Sequence, residues 1–176
     1  MANLNLVGYD TTTGFLRQLW ANDDIVDTAE QAIFLAFRGA LARQSSSDTI
    51  ANNTADEQIN FQSEDFDVGN FFDGGSPDRL TISETGVYKV IASVGFSANT
   101  VGTRSISLIH YNSSDVEQRR TQSDGLAADT GTTTKQIEGI FQFTSTDYIR
   151  VVAFQNSGTS RTSVTNDTWV FIQRIN

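Results

Sequence analysis

The stretch GVYKVIASVGFSA constrains the fold more than any other part of the chain. Its side chains alternate. Tyr88, Val90, Ala92, Val94 and Phe96 point one way, while Val87, Lys89, Ile91, Ser93 and Gly95 point the other. A period of two marks a β-strand with one buried face. The second face is not simply polar, because Val87 and Ile91 lie on it. The same doubling recurs in TWVFIQRI, where Trp169, Phe171 and Ile175 oppose Val170 and Ile172. In QIEGIFQF, Ile137, Phe141 and Phe143 share a face and Ile140 stands opposite. A sandwich sheet buries one face on the core, so a second apolar face needs its own cover. Val87, Ile91, Ile140, Trp169 and Phe171 are therefore the expected interface between copies of the chain. The alternative cover is the chain's own N-terminal part.

Further strands are expected in QINF, RLTI, RSISLIHYN, TKQIEGIFQFTST and YIRVVAFQN, with Gly, Asp, Asn and Ser between them. Strands at this spacing without helical periodicity indicate an all-β antiparallel sandwich or barrel over residues 58–176. FTSTDY reads as a short hairpin loop. SDGLAADTGTT, NSSDVEQRRTQSDG and QNSGTSRTSVTND read as surface loops.

Residues 1–57 read differently. Residues 1–26 form an arm with isolated large apolar side chains, and its aromatics argue against a disordered tail. Residues 27–44, DTAEQAIFLAFRGALARQ, read as the one α-helix. Asp27 is a good N-cap and Glu30 completes a capping box. Ala29, Ile33, Phe37, Ala40 and Leu41 make one stripe. SSSDTIANNTADE then reads as a linker. Phe15, Leu19, Trp20, Ile33, Phe37 and Leu41 are the expected docking residues of this region. The stripe packs either on a partner surface or on the chain's own β-domain. If it serves a partner, removing residues up to about Ser47 should leave a folded β-domain.

The residues offer little chemistry. The chain has no cysteine and one histidine, His110, which excludes a thiolate nucleophile or a cysteine zinc site and leaves no basis for a His-rich metal site. His110 lies in a strand and reads as a surface or interface residue. DGGSPD lacks the Lys-Ser/Thr and the following helix of a phosphate loop. Glu64, Asp65, Asp67 and Asp73 lack the spacing of a dedicated calcium loop and read as a solvated acidic loop. No catalytic residue, metal or cofactor is expected. The net charge is -9, and the only adjacent basic pair is Arg119 and Arg120, so a nucleic-acid partner is not expected. No segment has the length of a membrane helix or the make-up of a secretory signal, and no membrane partner is expected.

The strand order resembles the tumour-necrosis-factor and complement-component-1q jelly roll. The residues that carry it are TGVYKVIASVGF, SISLIHYN after it, the paired GIFQFTSTDYIRVVAF and the closing aromatic strand TWVFIQRIN. The resemblance covers residues 58–176 and implies a homotrimer of jelly rolls whose inner sheets meet around a threefold axis. The front, GYDTTTGFLRQLWANDDIVD, resembles small head- and tail-associated proteins of tailed bacteriophages, with NDD in place of the usual Gly-Asp. Together these imply a non-enzymatic virion protein, assembled in the host cytoplasm, whose N-terminal region docks on the major capsid protein or another virion protein. With no fibre shaft between anchor and jelly roll, a trimeric head decoration or cement protein is expected. The alternative is a tail fibre or receptor-binding tip that recognises a host surface ligand.

Overall fold

The computed structural model describes residues 37–175, and within them every regular element is a strand. The chain runs through β1 (Gly39–Arg43), β2 (Thr49–Ile50), β3 (Glu57–Gln58), β4 (Ser63–Val68), β5 (Leu80–Thr81) and β6 (Gly86–Phe96). It continues through β7 (Thr103–Tyr111), β8 (Glu117–Leu126), β9 (Thr133–Phe143), β10 (Tyr148–Gln155) and β11 (Arg161–Arg174). They form two antiparallel sheets. One has the order β4-β1-β11-β6-β9, with β2 on the first part of β11; the other has the order β3-β10-β7-β8, with β5 on β10.

Between the sheets lies the core. Tyr88, Val90, Ala92, Val94 and Phe96, all fully buried, supply the inward face of β6. Tyr88 stands edge-on to Phe71 and Phe143, each with ring centroids 5.8 Å away. Val170 and Ile172 of β11 and Phe141 and Phe143 of β9 point the same way and are buried. The opposite positions, Val87, Ile91, Trp169, Phe171 and Ile140, lie on the outward face as the alternation predicts.

The helix expected over 27–44 is corrected where it can be seen. Gly39–Arg43 is strand β1, paired to β11 on one side and β4 on the other. Ala, Leu and Arg favour helices intrinsically, but only by fractions of a kcal/mol, and two flanking strands override that preference. In the strand Ala40 and Ala42 face inward and are fully buried. Residues 27–36, and with them Phe15, Leu19, Trp20 and Ile33, lie outside the described residues.

The boundary drawn before Gln58 falls inside a compact unit that begins at Arg38. The polar run after Gln44 is fastened rather than free. The Asp48 carboxylate accepts bonds from the Asn60 amide N–H, the Asn60 side chain and Gln44 Nε2 at 2.7–2.9 Å. Gln44 is buried and its Oε1 accepts from Ser163 Oγ at 2.5 Å. Buried polar groups so paired fix a loop that composition alone makes look mobile. Further along, Arg120 of β8 grips Asp56 through two bonds of 2.6 and 2.9 Å, holding the loop before β3 against the second sheet.

Two other stretches read as loops are strands. β8 is almost wholly polar and pairs only with β7, so it has no apolar alternation to reveal it. The first part of β11 pairs with β2 and β6 before a bulge between Val164 and Trp169. The connection over FTSTDY is short as expected but is not a hairpin: residues 144–147 carry the chain from β9 in the first sheet to β10 in the second, and Asp147 Oδ2 accepts the Thr144 amide N–H at 2.8 Å.

Candidate functional site

The outward face of the first sheet carries one continuous row across five strands: Phe66, Leu41, Phe171, Ile91 and Glu138. The row beside it holds Arg43, Trp169 and Ser93. Leu41, Ile91, Trp169 and Phe171, together with Arg43, line a shallow depression of about 260 Å³. All five are half-buried, which for the four apolar ones is unusual on the face turned away from their own core. Phe66 packs edge-on against Phe171 with centroids 6.5 Å apart.

Charges frame this patch. Arg43 pairs with Asp65 at 2.6 Å and Lys89 pairs with Glu138 at 3.0 Å. At the lower end Glu84 holds both Arg38 and Arg174, each at 2.6 Å, and ties the start of β1 to the end of β11. The pairs leave the aromatic and aliphatic groups as the part of the face with no charge of its own. Ser93, opposite Trp169, is 1% exposed and its hydroxyl has no partner among the described residues.

The structure gathers some of the expected interface residues and disperses others. Ile91, Trp169 and Phe171 are neighbours. Leu41, expected in a docking helix, joins them because β1 is a strand. Val87 is half-buried further along β6. Ile140 is 53% exposed and lies opposite Lys89, beyond the Lys89–Glu138 pair, so it stands apart from the patch. Phe37 is half-buried at the edge of the described residues.

His110 is neither at a surface nor free. It is 7% exposed, its Nε2 lies 2.9 Å from Asp147 Oδ2, and its ring packs against Phe143 at 4.4 Å. With Asp147 also bonded to the Thr144 amide, the pair braces the β9–β10 turn. The acidic run is likewise engaged: Asp65 with Arg43, Asp67 with the Phe72 amide and Asp73 with the Gly75 amide. Among the described residues no three His, Cys, Asp or Glu side chains converge in a way that could hold a metal ion.

No protein-family profile matches the sequence, and no curated protein matches it. Solved structures do match its shape. Eiger TNF from S. frugiperda superposes with a TM-score of 0.62 at 11% identity, covering 80% of this chain and 94% of that one. Murine APRIL gives 0.60 at 12% identity, over 79% and 99% of the two chains. The globular domain of zebrafish complement 1qA gives 0.56 at 10% identity, over 79% and 98%. At these identities the likeness is one of fold, and the described chain is a jelly roll of the tumour-necrosis-factor and complement-1q kind.

Proposed function

We propose that the protein is a non-enzymatic structural component that assembles as a homotrimer through the outward face of the β4-β1-β11-β6-β9 sheet. The observation that carries this is the apolar cluster of Leu41, Ile91, Trp169 and Phe171 on the face opposite the core. Burying such side chains stabilises by about 25 cal/mol per Å² of apolar area removed from water, and a partner of the same kind can cover all four at once. Trimeric assembly is what the resemblance to the tumour-necrosis-factor jelly roll implies.

The phage-like layout of GYDTTTGFLRQLWANDDIVD supports a place on a virion, with the N-terminal region as the anchor and a role in decorating or cementing the head. Three linked anchors bind a lattice of identical subunits with an avidity that no single anchor reaches. Light scattering on the purified chain should give three times the chain mass, and Phe171→Asp should reduce it to one. A stable monomer for the unaltered protein rejects the assembly. Electron microscopy of particles carrying labelled protein tests the location, and label on the tail alone rejects head decoration. The second reading, a tail fibre or receptor-binding tip, is favoured by a polar groove on the other sheet.

A further inference from the structure

The β3-β10-β7-β8 sheet turns a different face outward. On β7 two successive outward positions are the small residues Ser105 and Ser107, each 4% exposed. Opposite them β8 places Asp124 and Gln122, and β10 places Phe154 and Val152. Small side chains on the middle strand between larger ones on both neighbours leave a groove of about 610 Å³ along β7. Arg120 closes one end. Its guanidinium is clamped by Asp56 at 2.6 and 2.9 Å and by Glu117 at 3.0 and 3.1 Å.

The floor and walls carry paired and unpaired polar atoms side by side. Asp124 Oδ1 accepts a bond from Ser105 Oγ and another, 2.8 Å long, from Gln122 Nε2. These bonds hold the Asp124 carboxyl below its usual range, so it is a carboxylate at neutral pH. Its second oxygen has no partner among the described residues. The Ser107 side chain is almost wholly buried and forms part of the groove floor. Across the groove the half-buried Phe154 offers an apolar ring.

We infer that this groove binds a neutral saccharide, a pyranose unit or a short chain of them. Such a ligand presents both hydroxyl donors and acceptors and an apolar face of C–H groups. The hydroxyls suit Asp124, Gln122 and Ser107, and the C–H face suits Phe154. The volume lies within the range of about 300–1,000 Å³ usual for small-ligand sites. An anionic ligand is disfavoured. Arg120 is already shared by two carboxylates, Asp124 adds a third, and the whole chain carries -9. A wholly apolar ligand would cover the second oxygen of Asp124 without giving it a hydrogen bond. The inference stands on the groove alone and needs neither the trimer nor the virion location.

The test is an amide NMR titration of the full chain with glucose, galactose, mannose and N-acetylglucosamine in turn, and with N-acetylneuraminic acid as the anionic comparison. At least one neutral sugar should shift the amides of Ser105, Ser107 and Gln122 while leaving those of Ile91 and Phe171 in place. Gln122→Ala and Phe154→Ala should each weaken that binding about tenfold, the equivalent of one hydrogen bond or stacking contact. Gln122 is exposed, so its variant keeps the fold even where a change at Phe154 disturbs the sheet. No shift with any neutral sugar, shifts confined to other surfaces, equal binding of N-acetylneuraminic acid, or binding untouched by Gln122→Ala each overturns the inference. A monomer in light scattering bears only on the assembly, and a silent titration bears only on the groove.

Discussion

Leu41 lies directly opposite Phe171 in the antiparallel pairing of β1 with β11, on the face of the sheet turned away from the core. Directly opposed side chains on one face are the unit of sheet stabilisation, worth about 0.2–1 kcal/mol in a single chain. A second copy that covers the pair adds the burial of both. Leu41→Asp should therefore dissociate the assembly at dilutions where the unaltered protein stays associated, and leave a folded chain, because Leu41 supplies none of the inner core. Sedimentation velocity with circular dichroism on the same sample reads both effects. An assembly that survives Leu41→Asp places the interface elsewhere.

Gly95 is pressed by the bulge of β11. A Cβ built there would stand 2.7 Å from Asp167 Cβ and 2.9 Å from Val164 Cβ. Its amide N–H also donates to the buried Thr168 Oγ1 at 3.2 Å. Gly95→Ala has to push the bulge away from β6, at a cost of about 1–3 kcal/mol, as for other overpacked sites. Urea denaturation should show a lower midpoint with an unchanged slope. Equal midpoints would mean that the bulge moves without cost.

Arg104 is fully buried, and its guanidinium bonds to oxygen atoms of the preceding loop and of Thr103 at the start of its own strand. Its NH1 donates to the carbonyls of Val101 and Thr103 at 3.1 Å, and its NH2 donates to the backbone and side-chain oxygens of Asn99 at 3.3 Å. No carboxylate pairs with it among the described residues, and burial lowers its pKa from the usual arginine value. Arg104→Ala opens a cavity and removes four bonds, so a loss of about 3 kcal/mol or more is expected. Arg104→Met restores much of the volume and should cost less than half as much. Equal losses in the two variants would assign the effect to the bonds alone.

Tyr148 gives the fold an alkaline limit. Burial and the bond from its hydroxyl to Asp115 Oδ1, 2.7 Å long, push its pKa up from 10.0 to about 12. The neutral phenol is the form favoured by folding. Below pH 10 both the folded and the unfolded chain hold this proton; between 10 and about 12 the unfolded chain loses it first. Stability therefore falls as pH rises through that window. Tyr148→Phe should flatten the fall in denaturation midpoint between pH 9 and pH 11. Tyr88, also raised by burial, leaves a residual slope. A variant with the full slope of the unaltered protein would remove Tyr148 as its cause.

The parts of this fold that were legible in the sequence are those where burial alternates residue by residue. Gly86–Phe96 shows both its faces, and the two-sided character of Trp169 and Phe171 against Val170 and Ile172 gives their directions correctly. β8 was not legible, because an edge strand with a solvated face needs no apolar residues. β1 was misread because its stabilisation comes from β4 and β11, whose paired residues lie at least 20 and more than 120 positions away respectively along the chain. The groove was hidden for the same reason: Ser107, Gln122 and Phe154 are brought together by pairing of strands, and a loop reading of β8 separates them.

The placement of β1 changes what truncation should do. A cut at Ser47 removes Gly39–Arg43, the strand between β4 and β11 in the first sheet. It exposes the backbone edges of both neighbours and deletes the buried Ala40, Ala42 and Gln44. Such edges invite pairing with other chains, so this product should aggregate or fail to fold. A cut after residue 36 keeps every strand of the described residues, the Glu84 pairing with Arg38 and Arg174, and the network of Gln44, Asp48 and Asn60. That product should melt cooperatively. If residues 1–36 are the anchor, it should also keep its oligomeric state and lose binding to particles. Calorimetry and co-sedimentation with purified heads on the two truncations separate the outcomes. A cooperative melt for the chain cut at Ser47 would show that β1 is dispensable to the jelly roll, and particle binding by the chain cut after residue 36 would move the anchor onto the β-sheets themselves.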